Sequence, residues 1–313
     1  MRFSIYQDSL IGERQVNQDR MGYCFTRESL LMLVADGMGG HLHGEIAAQM
    51  ALQAAAAMFQ AQARPLLADP AVFLDVALRR GHREILNFQR ANRLPDAPRT
   101  TIVACVVQQG QAWWAHAGDS RFYWLRDGAV LARTRDHSKV QNLVDLGLLA
   151  PEEADGHPER NKVLNCLGSP FEPTIEMGGP QALAPGDTLL LCSDGVWGPL
   201  TDAGLMATLG ADSALVGVPM LVRRAVEAGG ALADNATALA MTWEGEEDTG
   251  RGLSSALVPD GAITTTISVG PPDGAAAPDA ISEDEIERTI REIRDAIART
   301  GAGGGAPPRS RRG

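Results

Sequence analysis

Along the first 243 positions, apolar residues fall into short runs separated by turn residues, and the period of each run predicts an element. Leu30–Asp36 (LLMLVAD) is apolar up to its last residue and has the length of a strand buried on both faces. Thr101–Gln108 (TIVACVVQ) and Gln111–Ala117 (QAWWAHA) flank Gln109-Gly110, which predicts a hairpin. Arg121–Arg126 and Ala129–Arg133 flank Asp127-Gly128, a strong two-residue hairpin signal because such a turn needs positive φ. Thr188–Ser193 (TLLLCS) and Ala236–Thr242 (ATALAMT) complete the predicted strands. Consecutive strands joined by tight turns make antiparallel sheet, not a βαβ series.

Helical periods interrupt the strands. Gly44–Ala63 is rich in alanine, the strongest helix former. Ala71–Asn92 carries an apolar stripe with a charged reverse face. Ser138–Leu146 and Ser213–Glu227 are shorter helical candidates. The reading is an α+β domain with sheets at its centre, covering residues 1–244. Residues 245–281 lose all periodicity and fill with Gly, Pro, Ala, Asp and Thr, which reads as a flexible linker. Ser282 with Glu285 three residues on forms a capping box opening an amphipathic helix over 282–299, striped by Ile286, Ile290, Ile293 and Ile297. That stripe is about two heptads long, too short for a stable coiled coil. It reads equally as a docking helix or a loosely attached tail. The last stretch, 300–313, reads as disordered.

Composition narrows the function. The 313 residues are 44% hydrophobic, enough for a sizeable core, and carry a formal net charge of −11. Nearly all of that excess lies in residues 1–249, with 20 basic against 30 acidic side chains. An acidic domain argues against nucleic-acid binding, which needs a basic face, and against an anionic membrane surface. The first residues, MRFSIYQDSL, lack the apolar core of a signal peptide, and Ile46–Ala63 is broken by four glutamines, so membrane insertion is not expected. Cys24, Cys105, Cys166 and Cys192 form no CxxC pair and sit in apolar runs, as small core residues do. A reducing cytoplasm is the simplest location.

Three acids occupy one kind of place. Asp36 ends a strand in VADGMGGH, Asp194 ends another in LLLCSDG, and Asp234 precedes the last in LADNATALAM. Carboxylates at strand ends emerge at a sheet rim, where three of them repel one another unless a cation sits between. An all-oxygen donor set suits hard divalent ions such as Mg²⁺ or Mn²⁺, and the turn at Gly37 could bring its carbonyl to the same ion. Each Asp-Gly taken singly is equally a turn. Arg14, in ERQVNQD, offers a planar fork suited to phosphate oxygens. Asp119, in HAGDSRFYW, is either a turn residue or a further metal carboxylate.

With these pieces on the page, the ordered set RQVNQD, VADGMGGHLHGE, HAGDSRFY, DHSKVQNLVDLG, HPERNKVLNCLG, LLLCSDGVWGPL and ADNATALAM resembles the metal-dependent protein phosphatases, the type 2C or PPM Ser/Thr family, with the bacterial branch nearest. The resemblance covers about residues 5–243. It implies a sandwich of two antiparallel sheets flanked by α-helices on both faces. It further implies hydrolysis of phosphoserine and phosphothreonine in proteins by direct attack of a metal-activated water at a binuclear Mn²⁺ or Mg²⁺ centre, the ions about 3.5–4 Å apart. By this likeness Asp36 bridges two ions, the Gly37 carbonyl, Asp194 and Asp234 complete the centre, and Asp119 binds a weaker third ion. Arg14 binds the phosphate, Asp19 supports the centre through hydrogen bonds and water, and about residues 136–168 form a flap beside the site. The implied partners are phosphorylated proteins and a cognate Ser/Thr kinase that the enzyme opposes.

The chain departs from the family pattern at Gln18, where many members have Glu, and at Met38, where eukaryotic members have a histidine proposed as general acid. His41 and His43 read as structural or solvent-facing. No cysteine stands before a Gly-rich, Arg-bearing phosphate loop, and no GxSxG elbow is present. Two other readings stay open from sequence: a pseudophosphatase that binds phosphoproteins without turnover, and a protein that uses the same carboxylates and a metal only for stability.

Overall fold

The computed structural model describes residues 1–38, 43–154, 156–209 and 214–245, with the backbone of two short strands at 253–254 and 264–268. Twelve strands and six helices follow in chain order: β1 (Arg2–Leu10), β2 (Asp19–Phe25), β3 (Ser29–Asp36), α1 (Gly44–Gln62), α2 (Pro70–Asn92), β4 (Ile102–Gln108), β5 (Gln111–Ala117), β6 (Arg121–Arg126), β7 (Ala129–Arg133), α3 (Lys139–Asp145), β8 (Glu176–Ala182), β9 (Thr188–Cys192), α4 (Asp194–Trp197), α5 (Asp202–Leu209), α6 (Ala214–Gly229), β10 (Ala236–Gly245), β11 (Leu253–Ser254) and β12 (Thr264–Ser268).

The strands form two six-stranded sheets, ordered β11-β1-β10-β9-β6-β7 and β12-β2-β3-β4-β5-β8, with every pairing antiparallel. Period-2 alternation sorts their side chains. Leu30, Met32 and Val34 of β3 meet Leu189 and Leu191 of β9 and Leu239 and Met241 of β10 in the core between the sheets. Leu31, Leu33 and Ala35 point the other way, into a second core beneath α1 and α2. Leu190 and Cys192 do the same on the opposite sheet, beneath α4, α5 and α6. A strand covered on both faces needs no polar side, which is why β3 is a continuous apolar run. The expected sandwich with helices on both outer faces is the fold found.

Both predicted hairpins form, with Gln109, Gly110, Asp127 and Gly128 all at positive φ. All four cysteines are buried thiols, as their apolar surroundings implied. Burial pushes Cys166 up to about 11 and raises Cys105 and Cys192 further.

Other expectations need correction. Among the described residues, strand pairing continues past the boundary expected at residue 244. Inside the stretch read as linker, β11 pairs with β1 and β12 with β2. The Thr264–Ser268 segment is β-branched at four of its five positions, a strand preference masked by the surrounding Gly and Pro. The helix expected at 282–299 and the tail at 300–313 lie outside the described residues. Strands β1, β2 and β8 and helix α5 were not foreseen, and Asp194 opens α4 instead of closing β9.

Candidate metal centre

One end of the sandwich collects the turns that carry acids. Asp36 is the last residue of β3, and Asp19, the first of β2, stands directly opposite it in register. Asp194 follows β9 by two residues, Asp234 precedes β10 by two, and Asp119 lies in the connection between β5 and β6. Asp36, Gly37, Asp119, Asp194, Asp234 and Arg14 all line one recess of about 310 Å³. The Asp36 and Asp194 carboxyls lie within hydrogen-bonding reach of each other. Asp19 sits just beneath, 2% exposed, and receives the Ser193 hydroxyl on Oδ2 at 2.7 Å. Its Oδ1 has no hydrogen-bond partner among the described residues.

Backbone contacts hold these turns rigidly. The Asp36 carbonyl accepts from the Thr101 N–H at 2.9 Å and the Thr100 hydroxyl at 2.8 Å, and the Asp36 N–H donates to Thr101 Oγ1 at 3.2 Å. The Thr101 and Ser120 hydroxyls lie 2.7 Å apart, tying the Asp36 strand end to the Asp119 turn. Gly37 is a glycine for lack of room: a Cβ there would lie 2.4 Å from the backbone of Gly44, where α1 begins. Gly12, at φ +63°, leaves no space either, since a Cβ would come within 2.3 Å of the Asp234 carbonyl. Asn235 fastens the N-terminal loop to the site. It accepts from the Gln18 N–H at 2.8 Å and donates to the Ile11 carbonyl at 2.8 Å.

The electrostatics are unfavourable for the acids as they stand. Desolvation and then the charges of Asp19, Asp194, Asp119 and Asp234 push Asp36 well above the ordinary carboxylate range. Desolvation, followed by Asp194 and Asp136, does the same to Asp119. Asp194 rises to about 6, through desolvation and then Asp234. Asp19 rises to about 7, mainly through burial, against hydrogen bonds from Thr237 and Ser193 that pull it down. A cation between these groups adds an attraction to each carboxylate that offsets their burial and mutual repulsion and favours the charged forms. Oxygen-only donors, crowded carboxylates and the orphaned Asp19 Oδ1 together fit hard divalent ions.

Arg14 lies at the mouth of the recess, and its guanidinium forks onto Asp234, with Nε to Oδ1 and Nη2 to Oδ2 both at 2.7 Å. A cation engaged by Asp234 competes with Arg14 for the same oxygens. Asn161 and Val163 of the 136–168 segment also line the recess. That segment walls an adjoining cavity of about 580 Å³, which shares Arg14, Asp194 and Asp234 with the first. The expected flap therefore stands beside the site.

The chain matches the model of the family "Protein phosphatase 2C" over residues 6–216. The chain belongs to the protein phosphatase 2C family. It is 36% identical over 209 residues to the serine/threonine protein phosphatase PstP of Mycobacterium tuberculosis, a match over 66% of this chain and 39% of PstP. The chain thus spans well under half the length of that relative. It is 32% identical over 255 residues to the protein phosphatase PhpP of Streptococcus pneumoniae, covering 79% of this chain and 99% of PhpP. A solved structure of the PstP catalytic domain in complex with two manganese ions superposes with a TM-score of 0.67 at 31% identity, over 78% of this chain and 99% of that one.

The two departures from the family pattern have visible local consequences. Gln18 donates through Nε2 to Glu45 at 3.2 Å, so an uncharged side chain fills that place beside the recess. Met38 lines the recess without offering a titratable group. His43 caps α1 at φ +70°, half exposed and 3.6 Å from Glu45, and His41 lies outside the described residues. Thr100, Thr101, Ser120, Ser193 and Asn235 were not singled out from sequence. The signal available was their place next to the acids, in RTT, GDS, CSD and ADN.

Proposed function

We propose that the chain hydrolyses phosphoserine and phosphothreonine in proteins, with Asp36, the Gly37 carbonyl, Asp194 and Asp234 holding two Mn²⁺ or Mg²⁺ ions. Asp119 is the candidate for a weaker third ion. The observation that carries the reading is the convergence of four strand-end carboxylates on a single recess beside Arg14, three of them, Asp36, Asp119 and Asp194, raised in pKa by burial and then by neighbouring acids. Divalent ions bound there would supply a water of lowered pKa and neutralise charge on the phosphoryl group. Arg14 offers a two-pronged donor for phosphoryl oxygens, and Asp19, fixed by Ser193, orients the group above it. The manganese pair in the PstP catalytic domain and the phosphatase names of the relatives support the same reading.

Phosphorylated proteins are the substrates this site suits, and a Ser/Thr kinase that writes those phosphates is the partner it opposes. Among the described residues no helix is long and apolar enough to cross a membrane, which is compatible with the cytoplasmic location we infer. A phosphoprotein-binding module without turnover would not need these acids intact, and all of them are present. The test is hydrolysis of p-nitrophenyl phosphate with and without Mn²⁺. We expect turnover that needs added Mn²⁺ and is abolished by EDTA. No turnover, or turnover indifferent to metal and chelator, overturns the proposal.

A further inference from the structure

His116, His137 and Glu176 form a cluster of possible metal ligands apart from the aspartates, but its geometry rejects an ion. The two imidazoles stack with centroids 4.5 Å apart and planes 17° from parallel. Imidazole lone pairs lie in the ring plane, so an ion in one plane stands off the other. The hydrogen bonds reject it too. His137 Nδ1 faces two groups that only donate, the Asn165 amide nitrogen at 2.7 Å and the Gly118 N–H at 3.2 Å. The Asn165 orientation is settled by Thr174, which donates its N–H to Oδ1 at 3.0 Å and accepts from Nδ2 at 2.8 Å. His137 Nδ1 is therefore the acceptor. The ring proton belongs on Nε2, 3.2 Å from Glu176 Oε2.

That tautomer makes His137 a junction. Its backbone N–H donates to the Gly118 carbonyl at 2.9 Å, and its carbonyl accepts from the Leu164 N–H at 2.8 Å. Asp136 and His137 begin the segment beside the recess, and Leu164 and Asn165 lie near its end. One residue thus ties both ends of that segment to Gly118, which precedes Asp119. Gly118 has little freedom, being at φ +117° with Thr101 Cβ 2.6 Å from where its own Cβ would be. From the other side the Trp197 indole N–H holds the Asp119 carbonyl at 2.9 Å.

We propose that His137 is a positioning residue whose Nδ1, as a hydrogen-bond acceptor, sets the Asp119 turn and both ends of the 136–168 segment in one arrangement. The activity arm of its test rests on the phosphatase reading above. The structural arm does not.

The variants are His137→Phe, which keeps a flat ring against His116 without an acceptor, and His137→Asn, whose amide oxygen can stand near the Nδ1 place. In metal-free protein, limited trypsin digestion reads the exposure of Lys139, Arg160 and Lys162. His137→Phe is expected to be cut in this segment about tenfold faster than wild type, and His137→Asn close to the wild-type rate. The Mn²⁺ concentration giving half-maximal hydrolysis of p-nitrophenyl phosphate should rise roughly tenfold or more in His137→Phe, on the scale of lost supporting contacts at metal sites. kcat at saturating Mn²⁺ should change less, and His137→Asn should restore most of the loss. Should His137→Phe not fold, Asn165→Leu removes the segment side of the same contact and should show the same trypsin and Mn²⁺ effects.

Wild-type digestion and Mn²⁺ curves in His137→Phe, or a His137→Asn as impaired as His137→Phe, overturn the proposal. Inactive wild-type protein with the digestion pattern intact would sink the phosphatase reading and leave the junction standing.

Discussion

The middle of β3 and its last residue are neighbours that obey opposite rules. Leu30 to Ala35 are all 1% exposed or less and meet apolar side chains on both faces of the sheet. Asp36, one step further, faces Asp19, Asp194, Asp119 and Asp234 and is driven toward its protonated form. β9 repeats the pattern, apolar from Leu189 to Cys192 and then acidic at Asp194. The contrast separates what folds the chain from what the chain is for. The sandwich is held together by its apolar layers, and it holds the acids in place at a cost that a bound cation would offset.

That separation can be broken most visibly at Asp194. Asp194→Asn should lower metal-dependent hydrolysis of p-nitrophenyl phosphate by on the order of 10³-fold, since several kcal/mol of charge stabilisation are at stake. The melting temperature of the metal-free variant should stay at or above that of wild type, because a repelling charge has gone. A sharp fall in melting temperature would instead favour carboxylates that serve stability alone.

The converse substitution is Leu33→Ala, buried beneath α1. It should destabilise the fold by about 2–5 kcal/mol in chemical denaturation, while activity per folded molecule at saturating Mn²⁺ stays near wild type. Activity lost in proportion beyond the unfolded fraction would show that core and rim are not separable.

A smaller effect comes from protons. Asp194 near 6 and Asp19 near 7 lie above the roughly 3.9 of an aspartate in the unfolded chain, so the folded state binds more protons. Their contribution to stability is complete below pH 4 and is lost as pH rises through 6 to 7. Mn²⁺ replaces those protons. The gain in melting temperature on adding Mn²⁺ should therefore be a few degrees larger at pH 7.5 than at pH 5. An equal gain at both pH values would mean that the raised acids are not where the metal binds.

How far the sequence discloses this molecule follows the same division. β3, β9 and the two tight hairpins are legible because burial on both faces and positive-φ turns leave direct traces in residue type. β8 leaves none: Glu176–Ala182 is an edge strand with a Gly-Gly-Pro stretch, and Gly178 is needed because a Cβ would come 2.2 Å from the Trp114 ring. β1 has only Phe3 and Ile5 in the core between the sheets, followed by the polar Gln7, Asp8 and Ser9, so its period is faint. At the site, the acids are legible through the punctuation of Asp-Gly at strand ends and through likeness to a family. The side chains that hold them are not. Ser193 under Asp19, and Thr101 between Asp36 and Ser120, act through contacts between segments far apart in the chain. Arg14 is a partial case. Its place at the recess could be anticipated, but its bidentate grip on Asp234 could not.

The central claim is that Asp36, Asp194 and Asp234 hold divalent ions jointly, and calorimetric titration of Mn²⁺ into the metal-free chain tests it without reference to any substrate. Wild-type protein should bind at least two ions, with release of protons near neutral pH, and Asp36→Asn should lose most of that binding while remaining folded. A folded Asp36→Asn chain that binds Mn²⁺ with the wild-type number of sites and affinity would contradict the account.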